Sequence, residues 1–150
     1  MEYEHYQALL RDFAAAVGVP DVAALLESQE LRVDDLVVSF TLEAVDEHSH
    51  ALTVFAGFEP PADIEAAALD QLLLEANHLW RGTAGATFSR NPDTGAVFLA
   101  ASTPADTLTG EHLARLCGVF VDVLGTWRDL LRAGPGGQAP QFPLLMQQFV

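Results

Sequence analysis

The spacing of apolar residues along the chain changes from helical to strand-like and back, and each change predicts an element. The first stripe recurs at three- and four-residue steps, which predicts an opening helix with an apolar face made of Tyr3, Tyr6, Leu10, Phe13 and Val17. Gly18 and Pro20 are predicted to end this helix. Asp21 is placed to cap a short helical turn. The polar residues 29–35 are predicted to form a connection.

From Leu36 onward the pattern has a period of two, which is typical of a half-buried strand. The predicted core face of this strand comprises Leu36, Val38, Phe40 and Leu42. After a polar turn at residues 46–50, residues 51–58 are predicted to return as an antiparallel strand. Phe55 is predicted to point away from the core, and the core face holds Leu52, Val54 and Phe58. The segment has room for one further short strand.

A leucine-rich stretch in the middle of the chain predicts a central helix, with Asp63 placed to cap its first turn. One stripe at helical spacing comprises Leu69, Leu72, Leu73, Ala76, Leu79 and Trp80. Ala67 and Leu74 are also apolar and lie off that stripe, so the helix has two faces to bury. A helix wholly buried in a monomer and a helix shared by a dimer both account for the second face.

The pattern after the central helix predicts a glycine-rich turn at residues 82–85, a strand at 86–90, a hairpin loop at 91–95 and a second strand at 96–101. Thr109 is predicted to cap a final helix that runs through Arg132 and is closed by Gly134. The apolar stripe of this helix comprises Leu113, Leu116, Cys117, Phe120, Leu124, Trp127 and Leu131.

These elements predict an α+β fold in which an antiparallel twisted sheet packs with three helices, in the order α-β-β(-β)-α-β-β-α. Residues 1–133 are predicted to form one domain. Residues 134–150 form a Gly/Pro linker and a tail that is too apolar to be inert. One hypothesis is that Phe142, Leu144, Leu145, Met146 and Phe149 lie over an apolar surface of this chain or of a second copy and shield a binding site there until its partner arrives. A flexible tail or an added interface piece is the preferred interpretation.

Charge limits the class of partner. The chain carries 21 acidic residues and seven basic ones, all of them arginine, for a net charge of −14. Nucleic acid and anionic membranes are bound through clustered cationic side chains, so neither is expected as a partner. The single cysteine excludes an internal disulfide. Since no signal peptide and no apolar run long enough to span a bilayer is visible, we expect a cytoplasmic protein without membrane insertion.

A metal site is imaginable at His48 and His50, because residues two positions apart can lie on the same side of a strand, and Asp46 and Glu47 are nearby. No third ligand has a defined position relative to this pair. A solvated hairpin is therefore the preferred interpretation, and no metal site is predicted.

Enzymatic motifs are not visible in the sequence. Cys117 lies on the apolar stripe of the final helix, and His112 is five positions away, a poor facing geometry for a nucleophile and its base. Cys117 is therefore predicted to be a core residue. Asn77, near a helix end, is predicted to be a structural amide that bonds local backbone groups. The residues predict no catalytic centre and no cofactor.

One family pattern covers the second half of the chain. The run LLLEANHLWRGTAGATFSRNPDTGAVFLAAS is followed by a Thr-capped helix that contains Phe120-Val121-Asp122 and Trp127-Arg128. It resembles the Tir-chaperone (CesT-like) family, the class I chaperones of type III secretion. The shared pattern is a leucine-rich helix ending in Glu-Ala-Asn, a Gly-containing turn, a strand, an Asp-x-x-Gly-type hairpin, a strand and a final helix with an aromatic residue near its end.

The resemblance implies a bacterial cytoplasmic homodimer that binds the N-terminal segment of a secreted effector in extended form and keeps it soluble and export-competent. Secretion-apparatus components are further candidate partners. Apolar residues left over from the core faces are the expected effector contacts: Leu9, Val37, Phe55 and Phe98. The expected dimer interface comprises Ala67, Gln71, Leu74 and His78. The rival interpretation is a small dimeric α+β regulatory module that binds a small ligand or a folded protein.

Overall fold

Four α-helices and five strands make up the described part of the computed structural model, which covers residues 3–134 and 139–143. A 3₁₀ turn at His78–Trp80 follows the third helix. In chain order the elements are α1 Tyr3–Val17, α2 Val22–Ser28, β1 Glu30–Val33, β2 Leu36–Ala44, β3 His50–Phe58, α3 Ala66–Asn77, β4 Thr87–Arg90, β5 Val97–Pro104 and α4 Gly110–Ala133. The predicted α+β class is confirmed, with α2 as a fourth helix.

The five strands form one sheet in the order β1-β2-β3-β5-β4, and every neighbouring pair is antiparallel. The further strand that the sequence left room for is β1. Its position corrects the prediction that residues 29–35 are only a connection, because Leu31 pairs with Val38 and Val33 pairs with Leu36. Four residues are too few for a period of two to stand out against their polar neighbours.

The core lies between one face of the sheet and the helices α1 and α4. The predicted core faces of β2 and β3 are confirmed, with Leu42 half-buried and the other predicted residues buried. Phe13 of α1 meets Phe40 of β2 edge-on, with ring centroids 5.3 Å apart. Trp127 of α4 is fully buried and donates its indole N–H to the Gly82 carbonyl at 2.6 Å, which satisfies the polar atom of a core aromatic.

The buried face of α1 is wider than predicted. Tyr6, Leu10 and Phe13 are buried as expected, and Leu9 is only 6% exposed. The expectation that Leu9 is left over on the surface is therefore wrong. A helix held between a sheet and a second helix buries more than one narrow stripe, and Leu9 lies beside Leu10 on that broader face.

The start and end of α3 differ from the sequence predictions. Glu65 rather than Asp63 caps the helix, since its carboxylate accepts hydrogen bonds from Ala67 N at 3.1 Å and Ala68 N at 3.0 Å. The helix ends at Asn77. Leu79 and Trp80 were expected on the buried stripe, but both have φ of 53°, which breaks the helical periodicity and turns their side chains into solvent.

Asn77 fastens the end of α3 to β4, the strand at one edge of the sheet. Its side-chain amide donates to the Phe88 carbonyl at 3.0 Å and accepts from the Phe88 N–H at 2.8 Å. The predicted structural role is confirmed, although the backbone it bonds lies 11 residues away. An ion pair between Arg90 and Asp70, at 2.9 Å, joins the same two elements.

Replacing Asn77 with alanine should therefore destabilise the fold. The change leaves both backbone groups of Phe88 without their partner, at a cost of about 2 kcal/mol. Urea denaturation followed by circular dichroism measures this loss. Ser89→Ala is the matched control because Ser89 lies exposed on the same strand, and it should stay within about 0.5 kcal/mol of the parent. Equal midpoints for the two variants would contradict the role of the amide.

Both remaining cap predictions agree with the structure, whereas β5 ends at Pro104 instead of the predicted Ala101. Asp21 caps α2 through a hydrogen bond from Ala24 N at 3.0 Å, and Thr109 caps α4 through one from His112 N at 3.2 Å. Beyond Gly134 the structure describes residues 139–143, of which Phe142 packs against the core. The tail hypothesis otherwise concerns residues 144–150, which lie outside the described residues. None of the described helices is long and apolar enough to cross a membrane.

Candidate functional site

A groove of about 640 Å³ opens between the end of α1, the strand β1 and the middle of α4. Its apolar lining includes half-buried side chains that pack against the core beneath them: Val19, Leu31, Val33, Ala114 and Val121. Arg32, Asp34 and Asp122 contribute charge around it. Gly118 also lines the groove, and a Cβ atom added there would meet no other atom within 4 Å. The groove therefore has room for further apolar side chains.

The groove runs beside an open edge of the sheet. The Phe40 N–H donates to the Gln29 carbonyl at 2.9 Å. Since backbone groups alternate in direction along an antiparallel ladder, Leu31 bonds toward β2 and the N–H and C=O of Arg32 point away from it. A strand edge of this kind can pair with a further extended segment.

Cys117 lies in the wall of the groove and is buried, as predicted. Burial raises the pKa of its thiol from 9.0 to about 12. The thiol therefore stays protonated at neutral pH, and a protonated thiol is a poor nucleophile. Its contribution to the groove is that of a small apolar side chain.

The sheet face opposite the helices carries three of the four expected effector contacts. Val37, Phe55 and Phe98 are half-buried on this outer face. Phe55 pairs with Ala100 across β3 and β5, and Phe98 pairs with Gly57. A Cβ atom at Gly57 would lie 2.8 Å from the Phe98 ring, so the ring lies over the glycine. Leu9, the fourth expected contact, lies in the core on the other side of the sheet.

The solvent-facing side of α3 forms a second groove, of about 590 Å³. The structure brings together here all four residues expected at a dimer interface, along with two acidic ones: Ala67, Asp70, Gln71, Leu74, Glu75 and His78. Leu74 is 70% exposed, which is unusual for a leucine in the middle of a helix. The described residues of this chain leave the Leu74 side chain uncovered.

The two histidines considered for metal binding lie apart from both grooves. His50 Nδ1 is 3.4 Å from the carboxylate of Asp106, which also accepts the His50 backbone N–H at 2.9 Å. Asp46 accepts hydrogen bonds within its own turn from Ser49 and His48, and these lower its pKa. In residues 3–134 and 139–143, no three His, Cys, Asp or Glu side chains are grouped as metal ligands.

Sequence reasoning missed the groove at β1 as a site. Its walls come from three elements that are far apart in the sequence, and the polar pattern of one of them, β1, predicts a connection instead of a strand. A signal was present in Gly118, because a glycine in the interior of a helix costs about 1 kcal/mol relative to alanine. Its position beside Cys117 on α4 marks where the helix leaves space above the sheet.

Comparisons with known proteins agree with this geometry. A chain of the crystallised ExsC-ExsE complex has a TM-score of 0.68 and 25% identity, with 87% of this chain and 97% of that chain covered. A chain of the HopA1-SchA chaperone-effector complex has a TM-score of 0.60 and 21% identity, with 83% of this chain and 93% of that chain covered. A chain of the ExoT-SpcS complex from Pseudomonas aeruginosa has a TM-score of 0.53 and 18% identity, with 87% of this chain and 100% of that chain covered. The last two show a shared fold.

A comparison with curated proteins finds no match. The model of one protein family, described as the Tir chaperone protein (CesT) family, matches residues 8–128. That range contains both grooves and extends from within α1 to Arg128 of α4, a helix that ends at Ala133. The chain belongs to the Tir chaperone protein (CesT) family.

Proposed function

We propose that this protein is a type III secretion chaperone that binds the N-terminal segment of a secreted effector in extended form. Family membership supports the chaperone role, and the similar HopA1-SchA structure is a chaperone-effector complex. Binding in this form keeps the segment soluble and export-competent, because its apolar side chains are covered and it stays unfolded. The role needs no catalytic residue and no cofactor, and it is exercised in the bacterial cytoplasm.

The observation that carries the proposal is the groove beside the open edge of β1. An extended segment that pairs with the Arg32 backbone adds a strand to the sheet. Alternate side chains of such a strand point to opposite faces, so every second one is directed at the groove lining of Val33, Ala114 and Val121. Backbone pairing provides affinity for many sequences, and the groove selects apolar side chains at alternate positions.

The outer face of the sheet offers a second contact. The added strand also has side chains that point away from the groove, toward the outer face of the sheet. On that face they lie beside Arg32, which pairs with Val37 across β1 and β2. Phe98 and Phe55 lie farther along the same face. We propose Val37, Phe55 and Phe98 as effector contacts on this face, with the groove as the principal site.

The α3 groove is the proposed homodimer interface. A two-fold axis through this helix places the same patch on both copies, so Leu74 of one copy is buried by the other. Gln71 and His78 lie beside it, and Ala67 leaves room for close approach of the helices. Two copies joined in this way present two β1 edges, and one effector chain can contact both.

Coexpression with the proteins encoded beside this gene tests the function. We expect one of them to copurify, and its isolated, disordered N-terminal segment to bind the purified chaperone. Hydrogen exchange should then show new protection at the Arg32 amide, since that group gains a backbone partner. A regulatory module would instead bind a small molecule and leave the disordered segment free. Absence of binding by every neighbouring N-terminal segment would contradict the proposal.

A further inference from the structure

Two large apolar side chains lie exposed at the end of α3, outside both grooves. Leu79 is 55% exposed and Trp80 is 42% exposed. Both have φ of 53°, in the left-handed region that favours glycine and disfavours bulky residues. The backbone therefore takes an unfavourable conformation that holds two apolar side chains out of the core. Such an arrangement persists where something else covers those side chains.

The chain itself returns to this place. The Phe142 N–H donates to the Arg81 carbonyl at 2.8 Å, and the half-buried Phe142 ring packs against the core. Arg81 directly follows Trp80 in the sequence. Pro143, the last residue described, therefore directly follows a residue that is hydrogen-bonded beside the exposed pair.

The sequence after this anchor is suited to an apolar surface. Residues 144–150 read LLMQQFV and contain no charged side chain, in a chain whose net charge is −14. Five of the seven residues are apolar, namely Leu144, Leu145, Met146, Phe149 and Val150, and the other two are glutamines. The segment therefore has apolar side chains to bury and no charged side chain to keep in water.

We propose that residues 144–150 of the same chain dock on Leu79 and Trp80 and cover them. Seven residues reach about 23 Å when extended, whereas the Cα atoms of Leu79 and Arg81 are at most about 7 Å apart. The segment is therefore long enough to cover its own chain's pair without crossing to another copy. Anchoring through Phe142 holds it near the target at high effective concentration.

Quenching of tryptophan fluorescence by acrylamide tests this docking in the purified full-length chain. The two tryptophans differ sharply, because Trp127 is fully buried and Trp80 is at the proposed contact. Deleting residues 144–150 is expected to raise the quenching constant roughly twofold and shift the emission to the red, since the Trp80 ring returns to water. A pair of substitutions, Leu145→Asn with Phe149→Asn, should have the same effect without shortening the chain.

Matched controls separate docking from unfolding and from contact between copies. Gln147→Ala changes a polar side chain of the segment and leaves every apolar one in place, so quenching should stay at the parent value. In a Trp80→Phe background the deletion should have no effect, because only Trp127 remains and the core is intact. An unchanged quenching constant in the deletion variant would overturn the proposal. Protection of Trp80 that disappears on dilution would also overturn it, because the covering segment would then come from a second copy.

Discussion

Replacing Gly118 with tryptophan should weaken binding of the effector segment by at least roughly tenfold while leaving the fold intact. The new side chain projects into the groove of about 640 Å³ and fills the space in which we propose that an apolar side chain of the effector binds. Losing the burial of one such side chain costs about 1.5–3 kcal/mol, which corresponds to roughly 10- to 100-fold in Kd. Fluorescence anisotropy with a labelled N-terminal segment measures the change.

The same helix provides a matched control. Gly125 also lies on α4, and an added Cβ there meets no other atom within 4 Å, but the residue does not line the groove. Gly125→Trp should therefore fold equally well and bind the segment like the parent. Equal affinities for both variants would contradict the groove as the principal site. If binding were instead lost on Phe55→Asp, the outer sheet face would be the site.

Replacing Leu74 with glutamate should convert the dimer into monomers. Each copy loses the burial of one leucine, worth about 2 kcal/mol, so the two copies lose about 4 kcal/mol, or roughly a thousandfold in dimer Kd. The two introduced carboxylates also face each other across the axis, near the Asp70 and Glu75 that already line this groove. Light scattering at low micromolar concentration should report 16.1 kDa for the variant and twice that mass for the parent.

Ala68→Glu adds the same charge to the same helix outside the groove. Ala68 is exposed in the first turn of α3, where an acidic side chain is compatible with the helix dipole. This variant should remain dimeric. A parent chain that is already monomeric at low micromolar concentration would refute the interface, and so would a Leu74→Glu variant that keeps its dimeric mass.

The elements that the sequence predicted well are long and strongly periodic. The strands β2 and β3 and the full length of α4 show a regular pattern, because one face of each is buried against a single neighbouring layer. Errors occurred where that condition fails. β1 is only four residues long, so its alternation is not visible. α1 is buried on more than one side, so the burial of Leu9 does not follow from a single apolar stripe. Leu79 and Trp80 follow the helical spacing in sequence after the helix itself has ended.

The candidate surfaces were predictable to different degrees. The α3 face could be found from one helix, because Leu74 and Ala67 fall off its core stripe. The groove at β1 could not, since it exists only when α1, β1 and α4 meet, and no local pattern records that meeting. The outer sheet face falls between these cases. Alternation identified Val37, Phe55 and Phe98 as outward-facing, but only the strand order places them on one surface.

The contact between Asn77 and Phe88 also determines how the sheet can assemble with others. A sheet with two open edges is a divalent unit, and copies of it can join edge to edge without limit, as in fibres. Here Asn77 occupies both backbone groups of Phe88 within the four-residue β4, so this edge is poorly suited to pair with another strand. Among the described residues, the β1 edge is therefore the favoured one for pairing. A sheet that pairs through one edge forms a closed pair of copies instead of a fibre.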